Sequence, residues 1–157
     1  MILPLTPEAF ASLADVIDGW LADFLSTNEQ VLAVDHGGPG ECGAGERRWY
    51  VRMAGDEKDF TTVWLTLGQR TLRYETYVLP SPPQASSVIY ETVLRRNNSL
   101  IGCHYAIGDE DAIYLRGELA AALLDHAELD RVIGTLFVEV ERTFGSLVHL
   151  AFARRPD

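Results

Sequence analysis

Several things are scarce in this chain of 157 residues, and each scarcity excludes something. Cysteine is limited to Cys42 and Cys103. Two thiols cannot make a disulfide framework, so a reducing, cytoplasmic compartment is expected. No apolar run approaches the ~20 residues that a membrane-crossing helix needs. The opening Met1-Ile2-Leu3-Pro4-Leu5 lacks the basic flank of a secretory signal. Positive charge is also short: Lys plus Arg is 13 against 23 for Asp plus Glu, a net charge of −10, and Lys58 is the single lysine. A chain this acidic is repelled by phosphate backbones and anionic lipid, so neither nucleic acid nor membrane is an expected partner.

What is present is an ordinary globular composition, 47% hydrophobic and 23% charged, in a length that suits one domain over 1–157. Residues 7–25 read as an amphipathic helix. Thr6 is placed to cap it, Pro7 suits the first turn, and Phe10, Leu13, Ile17, Trp20 and Phe24 share a face. A short strand fits 29–35, and a Gly-rich loop follows over 36–45.

From Arg47 the period changes to two. Trp49, Val51 and Met53 alternate with Arg48, Tyr50 and Arg52. Strands over 61–67 and 71–79 complete a meander. Ser81 and Gln84 have the spacing of a capping box, predicting a helix to about Asn98 with Ile89, Tyr90, Val93 and Leu94 inward. Alternation at 101–107 and again at 112–119, joined by Gly108-Asp109-Glu110-Asp111, predicts a hairpin. A helix from Asp125 to about Phe144 carries Leu129, Val132, Ile133, Leu136, Val140 and Phe144 as its apolar stripe, and pattern leaves 147–153 open between strand and helix. The whole reads as α+β: an antiparallel sheet of about five strands with three long helices, covered on one face. Trp20, on the helix stripe, and Trp64, in a continuous apolar run, are expected core anchors.

Three blocks carry a resemblance: 61–77 (Thr-Thr-Val-Trp-Leu-Thr-Leu-Gly-Gln-Arg-Thr-Leu-Arg-Tyr-Glu-Thr-Tyr), 90–97 (Tyr-Glu-Thr-Val-Leu-Arg-Arg-Asn) and 113–119 (Ile-Tyr-Leu-Arg-Gly-Glu-Leu). With a fourth at 128–134 (Glu-Leu-Asp-Arg-Val-Ile-Gly), they resemble the YbjN family in its actinobacterial form, in the right order across roughly 47–145. The resemblance implies the fold of type III secretion chaperones, which are small, acidic, often dimeric α+β proteins that bind segments of other proteins. It implies a regulator of sensory transduction or stress. It carries no catalytic residues to transfer.

The residues themselves show no catalytic constellation. A nucleophilic triad needs Ser or Cys, His and an acid together, and His104, His126 and His149 are dispersed. His36 with Cys42, and Cys103 beside His104, fall short of the ligand count of a zinc site. No cofactor, metal or catalytic residue is therefore expected, and the chain reads as a non-enzymatic interaction or regulatory module. The alternative is a small-molecule-sensing regulatory domain with a pocket between sheet and helices.

Candidate interaction residues fall in three places. The first is a sheet face carrying Arg48, Tyr50, Arg52, Arg73, Glu75 and Tyr77, either a solvated face of ion pairs or an aromatic and Arg-rich binding surface. The second is Arg95-Arg96 before Asn97-Asn98. Cations there offset the helix dipole and Asn suits a left-handed turn, while the same pair offers a patch for an acidic segment. The third is Phe137 and Val138, whose apolar side chains widen the last helix beyond one stripe and, with the resemblance, predict a homodimer; the competing account is that the tail 147–152 folds back and covers that face within one chain.

Overall fold

The structure is a computed structural model that describes residues 1–152. Three helices, α1 (Pro7–Thr27), α2 (Ser86–Asn97) and α3 (His126–Phe152), accompany six strands: β1 (Val31–His36), β2 (Arg47–Ala54), β3 (Phe60–Leu67), β4 (Thr71–Leu79), β5 (His104–Ile107) and β6 (Ile113–Ala120). The strands form one antiparallel sheet in the order β1-β2-β3-β4-β6-β5. The meander thus grows by hairpins from β1 to β4. The β5–β6 hairpin then docks through its second strand, so β5 lies at the far edge.

The alternation along each strand decides what is covered. Trp49, Val51, Val63, Leu65, Leu72, Tyr74 and Leu115 point to one side and are buried. Against them pack Ala14, Ile17 and Leu21 of α1, Ile89 and Val93 of α2, and Leu129, Val132, Ile133, Leu136 and Val140 of α3. All three helices therefore bury their stripes against the same face, which leaves the opposite face uncovered.

Local signals explain most boundaries. Thr6 Oγ1 accepts from Ala9 N at 3.1 Å, and Asp125 Oδ1 accepts from Glu128 N at 2.8 Å, so α1 and α3 begin on side-chain caps. The β2–β3 turn is held from a distance: Glu141 Oε2 of α3 accepts from Asp56 N and Glu57 N at 2.8 and 2.9 Å. The segment 147–152 continues α3 as helix, which answers the question pattern left open; Ala153 lies outside the described residues.

Several expectations are corrected. Helix α2 begins at Ser86, past the Ser81–Gln84 spacing, because Ala85 is left-handed with φ 54° and interrupts any helix started earlier. Its Leu94 is 66% exposed instead of inward. Asn98 stays right-handed, and the left-handed residue of that turn is Gly102, with φ 78°. Gly102 breaks the 101–107 alternation, so β5 starts only at His104 and Ile101 is 83% exposed. His126 stacks on Trp20 with ring centroids 5.6 Å apart and keeps about half of its side chain in solvent. Trp20 itself is half-buried, and the fully buried tryptophan is Trp49, whose Nε1 donates to Asp18 Oδ1 at 2.6 Å.

Candidate functional site

The uncovered face is built by register. Tyr50, Trp64, Glu75, Arg116 and His104 lie side by side across five strands. A second row, Arg48, Thr66, Arg73 and Glu118, runs beside it. Arg52 pairs with Thr62 on one flank and Tyr77 with Tyr114 on the other. All six sheet residues singled out from sequence, Arg48, Tyr50, Arg52, Arg73, Glu75 and Tyr77, are thus on one surface.

Trp64 joins them and is not a core anchor. Its position shares the outward parity of Thr62 and Thr66, and the apolar neighbours Val63 and Leu65 are the buried ones. Tyr114 and Arg116 were also missed, although the alternation of Tyr114, Arg116 and Glu118 with Ile113 and Leu115 was available to place them.

Aromatic rings and guanidinium groups interleave across this face. Tyr50 meets Trp64 edge-on with centroids 5.7 Å apart, and Tyr77 meets Tyr114 edge-on at 5.6 Å. Guanidinium carbons lie over rings in three places: Arg48 on Trp64 at 5.2 Å, Arg52 on Phe60 at 4.2 Å, and Arg116 on Tyr114 at 4.9 Å. Such pairs hold large side chains in fixed poses on an open surface. Phe60 and Tyr77 nevertheless stay 49% and 38% exposed.

Charge is balanced locally. Arg116 pairs with Glu75 at 3.1 Å and Arg73 with Glu46 at 2.8 Å. The Gly-rich loop reaches back over one end, where Tyr50 Oη donates to Glu41 Oε2 at 2.6 Å. That hydrogen bond holds the Glu41 carboxyl below its ordinary value, and burial together with Glu41 pushes Tyr50 above its own. Between the two rows lies a cavity of about 300 Å³. Arg116 Nε is buried there with no hydrogen-bond partner among the described residues.

The other candidates separate. Arg95 makes an exposed pair with Glu91 at 2.8 Å. Arg96 instead turns inward and grips Glu139 with two bonds, Nε to Oε1 at 2.8 Å and Nη2 to Oε2 at 2.9 Å. Glu139 is 5% exposed at its side chain, and Tyr105 Oη donates to it at 3.1 Å. Burial raises the Tyr105 hydroxyl far above its ordinary pKa. Beside this network Asn97 clasps β5: its Oδ1 accepts from Tyr105 N at 2.7 Å and its Nδ2 donates to Tyr105 O at 3.1 Å. Helix phase sets Glu139 beside Val132 and Leu136, at the edge of the apolar stripe, but its charge reads as that of a solvent-facing residue.

Phe137 is 8% exposed and belongs to the core, because its side of α3 faces the sheet. Val138, 54% exposed, is the outward one and lines a shallow groove with Leu100 and Ile101. Among the described residues no group of three or more His, Cys, Asp or Glu could hold a metal. Burial raises the Cys103 thiol, which suits a core residue and not a nucleophile. No described helix is long and apolar enough to cross a membrane.

A one-sided α+β sheet of this kind is the fold of type III secretion chaperones. A chain of the heterodimeric ExoU–SpcU complex from the type III secretion system of Pseudomonas aeruginosa superposes with a TM-score of 0.52 at 17% identity, covering 83% of this chain and 96% of that one. The chain belongs to the YbjN family, described as "Putative bacterial sensory transduction regulator", which matches residues 15–147. Uncharacterised proteins of Mycobacterium tuberculosis and Mycobacterium bovis are 32% identical over 102 residues, 65% of this chain and 56% of each relative. One from Mycobacterium leprae is 31% identical over 105 residues, 67% of this chain and 57% of that protein. The chain thus spans little more than half the length of these relatives.

Proposed function

We propose that this chain is a non-enzymatic, cytoplasmic regulatory domain of chaperone-like character that receives a segment of another protein on its uncovered sheet face. One observation carries the reading: Tyr50, Trp64, Tyr77, Tyr114 and four arginines are brought by register onto a face that no described helix covers. Trp, Tyr and Arg dominate the energetics of protein recognition: the aromatics bury large area with few rotatable bonds, and Arg brings a planar head with several donors. The structural neighbour belongs to a complex of two different proteins, and the family description is regulatory. Both agree with a protein partner. Cys42 and Cys103 are free thiols, as a reducing compartment keeps them.

A photoreactive amino acid at Thr62, between Arg52 and Tyr77, tests this in the native host, with Ala22 on the exposed side of α1 as the control. The expected result is protein adducts from position 62 that disappear when Trp64 and Tyr77 are both changed to Ala. Adducts from position 22 alone would refute the surface.

The domain further pairs with itself through the exposed strip of Val138 and Ile101, since apolar side chains 54% and 83% exposed call for a cover. Light scattering should give about twice the 17.4 kDa chain mass, and Val138→Glu should give a folded monomer. A wild-type monomer would remove the pairing and leave the sheet-face reading intact.

A further inference from the structure

A second site lies on the other side of the molecule, between the last turns of α2 and the C-terminal half of α3. It is a cleft of about 410 Å³, within the range of small-molecule sites. Its floor is apolar: Val93, Tyr105 and Leu147 are 7%, 4% and 2% exposed. Its mouth is cationic. Arg95, Arg96 and Arg142 all line it, and no Asp or Glu does, in a chain where acids outnumber bases 23 to 13.

The three arginines are not equivalent. Arg96 is neutralised by Glu139. Arg95 shares its charge with Glu91 in a pair whose side chains are 78% and 62% exposed, a contact that water and salt weaken. Arg142 makes no ion pair or hydrogen bond to any described residue. An uncompensated cation above an apolar floor is the pattern of a site for an anion carried on a hydrocarbon body. Ser99 and Ser146 add hydroxyl donors beside the guanidinium groups. The apolar floor offers nothing to an inorganic anion, and the rim repels a cationic amphiphile.

We infer that this cleft binds a small amphipathic anion, a medium-length acyl or alkyl chain with a carboxylate or phosphate head. The chain lies on Val93, Tyr105 and Leu147, and the head sits between Arg142 and Arg95. This site does not depend on the sheet face or on its proposed partner. It also touches the Arg96–Glu139–Tyr105 network that ties α2 and β5 to α3, so an occupant bears on how the helices are held.

The test is a titration of the ¹⁵N-labelled chain with octanoate, octyl phosphate, octylammonium and inorganic phosphate, followed by amide chemical shifts. Saturable shifts should cluster at 92–99 and 142–147 with octanoate or octyl phosphate, and be absent with the other two. The tighter of the two active probes assigns the head group. Arg142→Gln should weaken that binding roughly tenfold, the worth of one charge-assisted contact. Ser146→Trp, at an exposed position, should block the cleft. The inference is overturned by no saturable shifts with either anion, by equal shifts with octylammonium, or by affinities unchanged in both variants. None of these outcomes bears on adduct formation at position 62.

Discussion

Consider removing Arg96 and Glu139 one at a time. The two side chains form one bidentate pair, yet they sit in different environments: the Glu139 side chain is 5% exposed and that of Arg96 is 30% exposed. Arg96→Met strands a carboxylate that keeps only Tyr105 Oη as a donor. Breaking a buried pair from one side costs ~3–5 kcal/mol. Water reaching the vacated guanidinium position lowers this, so about 2–3 kcal/mol is expected here. Glu139→Gln strands a guanidinium that can rehydrate, and the amide still accepts a hydrogen bond, so a cost of about 1 kcal/mol follows. For a chain of this size, each kcal/mol moves the Tm by roughly 2–4 °C. Thermal unfolding should therefore drop by roughly 4–12 °C for Arg96→Met and by roughly 2–4 °C for Glu139→Gln. The double variant Arg96→Met/Glu139→Leu removes both charges and should return to within about 1 kcal/mol of wild type. Equal losses in the two single variants, or a double variant worse than Arg96→Met alone, would refute the asymmetry.

The tryptophans should divide sharply: Trp49→Ala, at a site with no exposure, should cost ~3–5 kcal/mol in a denaturant titration. Trp64→Ala loses an edge-on ring contact and a cation–π contact, about 1–2 kcal/mol together; a larger loss than Trp49→Ala would place Trp64 in the core after all. Burial pushes the Asp18 carboxyl up, but hydrogen bonds from Trp49 and His36 and the charges of His36 and Arg47 outweigh it, so its pKa is lowered. The stability Asp18 adds is thus present above the unfolded value of about 4 and lost as the pH falls through the lower folded value. Asp18→Asn should flatten the fall of Tm on acidification below about pH 4, and a parallel fall would refute this contribution. Gly117→Ala should destabilise by ~1–3 kcal/mol, because a Cβ there would overlap Gly102 O and come within 2.6 Å of the Tyr74 ring; an unchanged Tm would show that the Gly102 carbonyl and Tyr74 both move aside.

The layers of the fold could be read in the sequence because strands such as β2 and β4 alternate cleanly. Arg48, Tyr50 and Arg52 against Trp49, Val51 and Met53 assign two faces without any partner, and the buried set is the predicted one. The parity of Trp64 could not be read the same way. Val63, Trp64 and Leu65 are all apolar, and only pairing with Tyr50 on β2 and Glu75 on β4 shows which side it takes. Long-range polar pairing was illegible for a similar reason. Arg96 and Glu139 are 43 positions apart, and although helix phase sets Glu139 at the edge of the α3 stripe, nothing local shows that Arg96 comes to meet it. The parting of Phe137 from Val138, expected together on one surface, follows from helix phase: one residue of α3 rotates the side chain by about 100°, enough to move it from sheet to solvent.

The clasp of Asn97 on Tyr105 has a consequence for how the sheet can grow. One side chain supplies a donor and an acceptor to the free edge of β5, as a neighbouring strand would. Among the described residues the other edge, β1, has no strand beyond it. In the language of polymerisation the molecule is monofunctional: strand addition can join two copies edge to edge at β1, and the resulting sheet ends at a blocked β5 on both sides. Natural sheets guard their edges against open-ended association, and here an amide does so. Asn97→Ala should make the chain bifunctional, and its measure is sedimentation of partly unfolded protein. Wild type should stop at small species while the variant continues to fibres, and identical sedimentation of the two would show that the clasp does not limit growth.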